Sequence, residues 1–176
     1  MNRWSCRTPS KRIVAAFLLL LLAAIDGFAD DDICFHCGMK KSQYGHSWVV
    51  IEYEGGRKAQ TCSIHCAAIE MVLSQDDLIE SITVGDYDTH RPIDAYRAFW
   101  VIGGDLPGVM TLRAKWAFGS KAAAGAFIDA HGGRFAVFEE VIRAAFADLY
   151  EDTIALKRKR KIRELEKSGQ VNGKQK

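Results

Sequence analysis

The chain has 176 residues, 48% of them hydrophobic, with 24 Lys and Arg against 22 Asp and Glu. Its length and composition allow one compact domain or two small ones with a real core, and they exclude a collagen-like or low-complexity protein. The near balance of charge hides an asymmetry: residues 157–176 hold nine basic and two acidic residues, whereas residues 30–156 hold 11 and 19. An acidic body with a basic tail argues against nucleic acid as the partner.

The first 29 residues read as an export signal. Arg3, Arg7, Lys11 and Arg12 precede the apolar run Ile13 to Ile25, and Gly27-Phe28-Ala29 offers a cleavage site that leaves Asp30 first. The run is too short to span a bilayer comfortably. A periplasmic or otherwise exported location is expected, with membrane anchoring left open. Cys6 is lost on cleavage, so Cys34, Cys37, Cys62 and Cys66 remain. In an oxidising compartment their default fate is disulfide formation.

The mature chain is expected to be α+β. His46 to Tyr53 is rich in β-branched and aromatic residues and predicts a strand, Glu54-Gly55-Gly56 a turn, and Arg57 to Cys62 the returning strand. Ser63 is placed to cap a helix whose apolar face is Ile64, Ala67, Ala68, Met71 and Val72. Leu78 to Val84 predicts a third strand. The order is ββαβ, and it recurs. Ala95 to Ile102 and a segment within Met110 to Phe118 predict strands; Ser120 caps a helix with Ala123, Ala126, Phe127 and Ala130 on one face; Arg134 to Phe138 is a short strand. Two related ββαβ units, 30–92 and 93–140, therefore follow the signal. A C-terminal helix and basic tail, 141–176, completes the chain, with Val141, Ile142, Ala145, Phe146 and Leu149 as its apolar face. The tail is read as a solvated helix end, with contact to anionic lipid or an acidic partner as the other use.

The chemistry concentrates in two short clusters. In Cys34-Phe35-His36-Cys37-Gly38-Met39 two thiols can bite one ion, Gly38 lets the backbone bend after Cys37, and Met39 adds a thioether. In Cys62-Ser63-Ile64-His65-Cys66 the second thiol falls in the first turn of a helix, where thiolate is favoured. His36, His65 and Met110 are further candidate ligands. Thiolate with thioether is a soft donor set that suits Cu(I). Three arrangements fit the spacing: an open soft-metal site on Cys37 and Met39, a closed four-thiolate zinc site, and two disulfides. A thiol–disulfide oxidoreductase using Cys34 and Cys37 fits less well, because a redox motif normally opens a helix after a strand. No catalytic triad or phosphate loop is present, so no enzyme is expected.

Four stretches together resemble the NosL family: Cys37-Gly38-Met39; Thr61 to Cys66; Gly85-Asp86-Tyr87-Asp88-Thr89 with Ile93-Asp94-Ala95; and Trp116 to Ser120 running on to Ala126-Phe127 and His131-Gly132-Gly133. The resemblance spans roughly residues 33–140. It implies two ββαβ units, export, Cu(I) binding, and delivery of copper to the copper–sulfide centre of nitrous oxide reductase with a membrane transporter complex. It carries the family's Cys-Gly-Met element onto Cys37, Gly38 and Met39. The chain departs from the family in lacking a lipidation cysteine, in the additional thiols Cys34, Cys62 and Cys66, and in the basic tail.

Overall fold

Chain order alternates a hairpin, a helix and a returning strand, twice. The computed structural model describes residues 32–168; the expected export segment and the last residues of the basic tail lie outside them. Helix α1 (Lys41–Tyr44) and a 3-10 turn (Gly45–Ser47) lead into β1 (Val49–Tyr53), β2 (Lys58–Thr61), α2 (Ile64–Leu73), β3 (Ile79–Gly85) and β4 (Pro92–Asp94). The second passage is β5 (Phe99–Ile102), β6 (Lys115–Phe118), α3 (Lys121–His131) and β7 (Arg134–Ala136), and α4 (Phe138–Lys167) closes the chain. The sheets run β2-β1-β3-β4 and β6-β5-β7, every pairing antiparallel. In each ββαβ unit the first strand is central, flanked by the second and the third, so both units have the same connectivity.

The pattern of burial explains why these segments are strands. In β1, Val49, Ile51 and Tyr53 are buried and alternate with half-exposed Val50 and Glu52, the period-2 signature of a sheet with one core face. The second sheet is covered on both sides. Trp100, Ile102 and Ala117 enter the main core with Val49, Ile51, α2 and α4, while Val101, Trp116 and Phe118 pack with Ala124 and Phe127 of α3. A strand buried on both faces reads as a continuous apolar run, as Trp100-Val101-Ile102 does.

Several boundaries differ from expectation, each for a local reason. Gly45–Ser47 turns as a 3-10 helix, so the strand expected from His46 starts at Val49. The Asp94 carboxylate accepts the amides of Tyr96 (2.8 Å) and Arg97 (3.1 Å), a turn that delays the strand expected from Ala95 to Phe99. Pro92–Asp94, to which the sequence assigns no strand, adds an edge strand to β3, where proline is tolerated. Ser63 occupies the N-cap position without its side chain capping the helix, whereas the Ser120 hydroxyl accepts from Ala123 N at 3.2 Å. Val72 and Phe146, expected on apolar faces, are exposed, as are Ala126 and Ala130; the buried positions of α3 are Ala124 and Phe127.

Two features fix the end of β3 against the start of the chain. Gly85 donates to Trp48 O at 2.7 Å, and a Cβ there would lie 1.8 Å from Gly45 O, so no larger residue fits. Asp86, buried, accepts from Thr89 N and Oγ1 and from Gly119 N, which follows β6. One carboxylate thus ties the first unit to the second.

Candidate metal centre

The segment 33–40 folds back on itself. Ile33 bridges Lys40, Cys34 N donates to Met39 O (2.8 Å), and Gly38 N donates to Cys34 O (2.9 Å). Gly38 adopts φ +74°, the left-handed turn that glycine permits, and this closes the knuckle. Phe35 N donates to Gln60 O (3.1 Å), docking the knuckle on the edge of β2. Cys62 follows directly on β2, and Cys66 sits in the first turn of α2.

This places all four thiols together. The Sγ atoms of Cys34, Cys37, Cys62 and Cys66 all lie within 4.8 Å of one another. Cys37 and Cys62 are 3.4 Å apart, Cys62 and Cys66 3.6 Å, and Cys66 and Cys37 4.0 Å. All four are free thiols. Four sulfurs about 2.3 Å from one ion at the corners of a tetrahedron are separated by roughly 3.8 Å, so the donor set fits a single thiophilic ion. Cys34, Cys62 and Cys66 are buried, and Cys37 is partly exposed.

Thiols this close exchange protons as one group. Hydrogen bonds from Cys37, Cys62 and Cys66 push the Cys34 thiol far down against the effect of burial. For Cys37 the bond with Cys34 raises the value, and those with Cys62 and Cys66 bring it down to about 7. Cys62 and Cys66 are pushed up, first by hydrogen bonding with Cys34 and then by that with Cys37. Some thiols therefore ionise readily while the others hold their protons, and a cation that takes the place of those protons relieves the repulsion.

Met39 and Met110 both pack against the thiol cluster. They also line one groove of about 610 Å³, together with Tyr44, His46 and the α4 residues Lys159, Arg160 and Arg163. Both methionines thus touch the cluster and the groove. The basic tail is a continuation of α4, and part of it walls this groove.

The two histidines of the cysteine clusters face carboxylates. His36 Nε2 lies 3.0 Å from Glu70 Oε2, and His65 Nδ1 lies 3.1 Å from Asp152 Oδ2. Burial pushes His65 below the ordinary imidazole value, with Asp152 opposing. Asp152 Oδ1 also accepts from Leu112 N at 2.8 Å, two residues beyond Met110. One buried carboxylate thereby fixes the helix that carries Cys66 and the loop that carries Met110.

Glu70 plays the matching part on the other side. It accepts from Arg57 (3.0 Å), Ser74 (2.9 Å) and Tyr53 (3.3 Å) besides contacting His36. Burial raises its pKa, but the bonds from Arg57, Ser74 and His36 hold it below the usual glutamate range. Sequence reading did not single out Glu70 or Asp152. The signal was present in the spacing: Glu70 lies one turn beyond Cys66, and Asp152 lies two turns beyond Ala145 on the apolar stripe of α4.

Fold and site define a class: a small α+β protein of two ββαβ units with a metal-competent cluster of four thiols. The NosL family model matches residues 26–146. The chain belongs to the NosL family. The crystal structure of the copper chaperone NosL from Shewanella denitrificans is similar at a TM-score of 0.52 and 23% identity, covering 64% of this chain and 90% of that one. That likeness is one of fold. No curated protein matches the chain.

Proposed function

We propose that the protein is an exported, non-enzymatic Cu(I) chaperone whose client is nitrous oxide reductase and its copper–sulfide centre. The observation that carries this reading is the edge of the thiol cluster. Cys37 is its most accessible sulfur, and Met39 and Met110 touch both the cluster and an open groove. Thiolate and thioether are soft donors that prefer Cu(I), and a low-coordinate site can accept a partner's ligand before releasing its own. Copper is cargo here: it arrives at Cys37, Met39 and Met110 and leaves by ligand exchange, with no bond of the protein made or broken.

The groove wall suggests the charge of the partner. Lys159, Arg160 and Arg163 flank the thioethers, so an acidic docking surface on the client or on a membrane transporter complex would be steered toward the metal. Among the described residues no helix is long and apolar enough to cross a membrane.

A second reading has its own support. The mutual closeness of all four sulfurs suits Zn(II), which favours a closed tetrahedral thiolate site. A thiol oxidoreductase has less support, since Cys34 is buried and the Cys34–Cys37 pair lies in a turn.

Transfer decides the function. Cu(I)-loaded protein mixed anaerobically with copper-free nitrous oxide reductase should lose its metal to the enzyme in preference to bovine serum albumin at equal concentration. Copper that stays with the chain, or partitions equally to both acceptors, would remove the chaperone assignment.

A further inference from the structure

Beyond the thioether edge lies a second cavity, of about 480 Å³, that the function above leaves unused. His46, Tyr87, Asp88, His90 and Trp116 are among its walls. The rings of His46 and His90 face one another with centroids 5.7 Å apart. Two imidazoles that share one ion, each nitrogen about 2.0 Å from it, have ring centres separated by roughly 5 to 6 Å.

Three further observations single out this pair. His36, His65 and His131 each contact a carboxylate, at 3.0, 3.1 and 3.0 Å. Among the described residues neither His46 nor His90 makes a side-chain hydrogen bond, so their ring nitrogens are free to coordinate. Trp116 Nε1 is buried without a hydrogen-bond partner, and its ring lies 5.6 Å from that of His46. A buried orphan donor is costly and commonly marks a missing ligand or water.

His90 is also held in a conformation that a non-glycine residue rarely adopts, φ +59°. Its amide donates to Asp86 O (2.8 Å), and the Asp86 carboxylate anchors the same turn through Thr89. A Cβ built on Gly45 would lie 3.4 Å from the His90 Cβ, so His90 sits beside the segment that carries His46. Strain maintained by this much surrounding structure is typical of functional positions.

His46 belongs to both cavities. It lines the groove with Met39 and Met110, and it lines the second cavity with His90. We propose that His46 and His90 form a second Cu(I) site, a weaker station between the Cys37–Met39–Met110 edge and the surface. This rests on the Cu(I) reading of the thiol cluster. Imidazole is a good copper ligand but a harder donor than thiolate, so affinity for the soft ion falls from Cys37 toward His90. The Trp116 N–H and the nearby Asp88 carboxylate suit a water or small ligand that accompanies the ion.

The test uses the reduced full chain and Ag(I), a redox-silent stand-in for Cu(I), followed by imidazole nitrogen NMR. Once the thiols are saturated, further Ag(I) should shift a ring nitrogen of both His46 and His90 together, leaving His131 unmoved. The pair should respond in the same way in Cys37→Ser, so loss of thiol binding cannot be mistaken for loss of this site. A His46→Ala/His90→Ala variant should bind one metal ion fewer and keep its thiol-bound metal. Rings that stay unmoved in excess Ag(I), or that shift no more than His131, overturn the proposal.

Discussion

Cys37→Ser is expected to weaken Cu(I) binding by on the order of a hundredfold or more while leaving the protein folded. Removing even an outer-shell partner of a metal ligand typically costs 10–100-fold in affinity, so loss of a thiolate ligand should cost at least the upper end. The hydroxyl of serine is a hard, protonated donor that a soft ion does not accept in exchange. The fold should stand because Cys37 is partly exposed and the turn that carries it is closed by backbone hydrogen bonds, Cys34 N to Met39 O and Gly38 N to Cys34 O, which serine leaves intact. Cys62 and Cys66 are different: both are wholly buried in the cluster with Trp48, and their serine variants should lose stability as well as metal. Anaerobic titration against a Cu(I) chelator measures the first effect, and far-UV circular dichroism with thermal melting measures the second. A Cys37→Ser protein that retains wild-type affinity would remove Cys37 from the site.

Asp152→Ala should destabilise the protein by about 2–6 kcal/mol, since it leaves two buried donors unsatisfied at roughly 1–3 kcal/mol each. Asp152 is 1% exposed and its partner His65 3%. Alanine would leave His65 Nδ1 and the Leu112 amide without acceptors in a dry interior, and it would cut a buried link between α2, α4 and the Met110 loop. Asp152→Asn keeps an acceptor and should lose less. The loss of Leu112 anchoring should also weaken Cu(I) binding, since Met110 would no longer be held against the cluster. Urea denaturation of metal-free protein gives the stability change free of any contribution from bound ion. A change under about 1 kcal/mol would mean that the pair is solvated and does not hold the site together.

The sequence carried the architecture where local rules act alone. The β-branched and aromatic run before Tyr53, with the Glu54-Gly55-Gly56 turn signal after it, pointed to a hairpin, and the 3.6-residue spacing from Ile64 to Met71 pointed to a helix. The repetition of both after Ala95 gave the second unit. Boundaries failed where a side chain redirected the backbone: the Asp94 carboxylate holds Tyr96 and Arg97 in a turn, and Gly45 to Ser47 tighten into a 3-10 helix. Periodicity cannot see such bonds. The helix faces were legible only where the helix touches the core, which is why Val72 and Phe146 are exposed although their spacing fits a buried stripe.

The site was legible in its ligands and illegible in its supports. Cys34, Cys37, Cys62 and Cys66 stand out by type and spacing, and the fold brings all four together. The convergence of Met39 and Met110 on one groove depends on a loop more than seventy residues from the knuckle, which no local pattern reports. Glu70 and Asp152 were hidden for a different reason. On a helix a carboxylate ordinarily means solvent, and only the tertiary structure shows these two buried against histidines that sequence alone offered as ligands. The pairing of His46 with His90 likewise comes from the close crossing of Gly45 and Gly85.

An open edge offered to Cu(I) by Cys37, Met39 and Met110 is tested most directly by the metal that the cluster selects and the ligand shell it builds. Reduced protein should be equilibrated with equal amounts of Cu(I) and Zn(II) under matched chelators, and its Cu K-edge X-ray absorption recorded. The expected result is preferential Cu(I) uptake with a shell of roughly three sulfurs, one of which is lost in Met39→Leu. Preferential Zn(II) uptake that needs all four cysteines, with unfolding on chelation, would contradict it and make the cluster a structural zinc site.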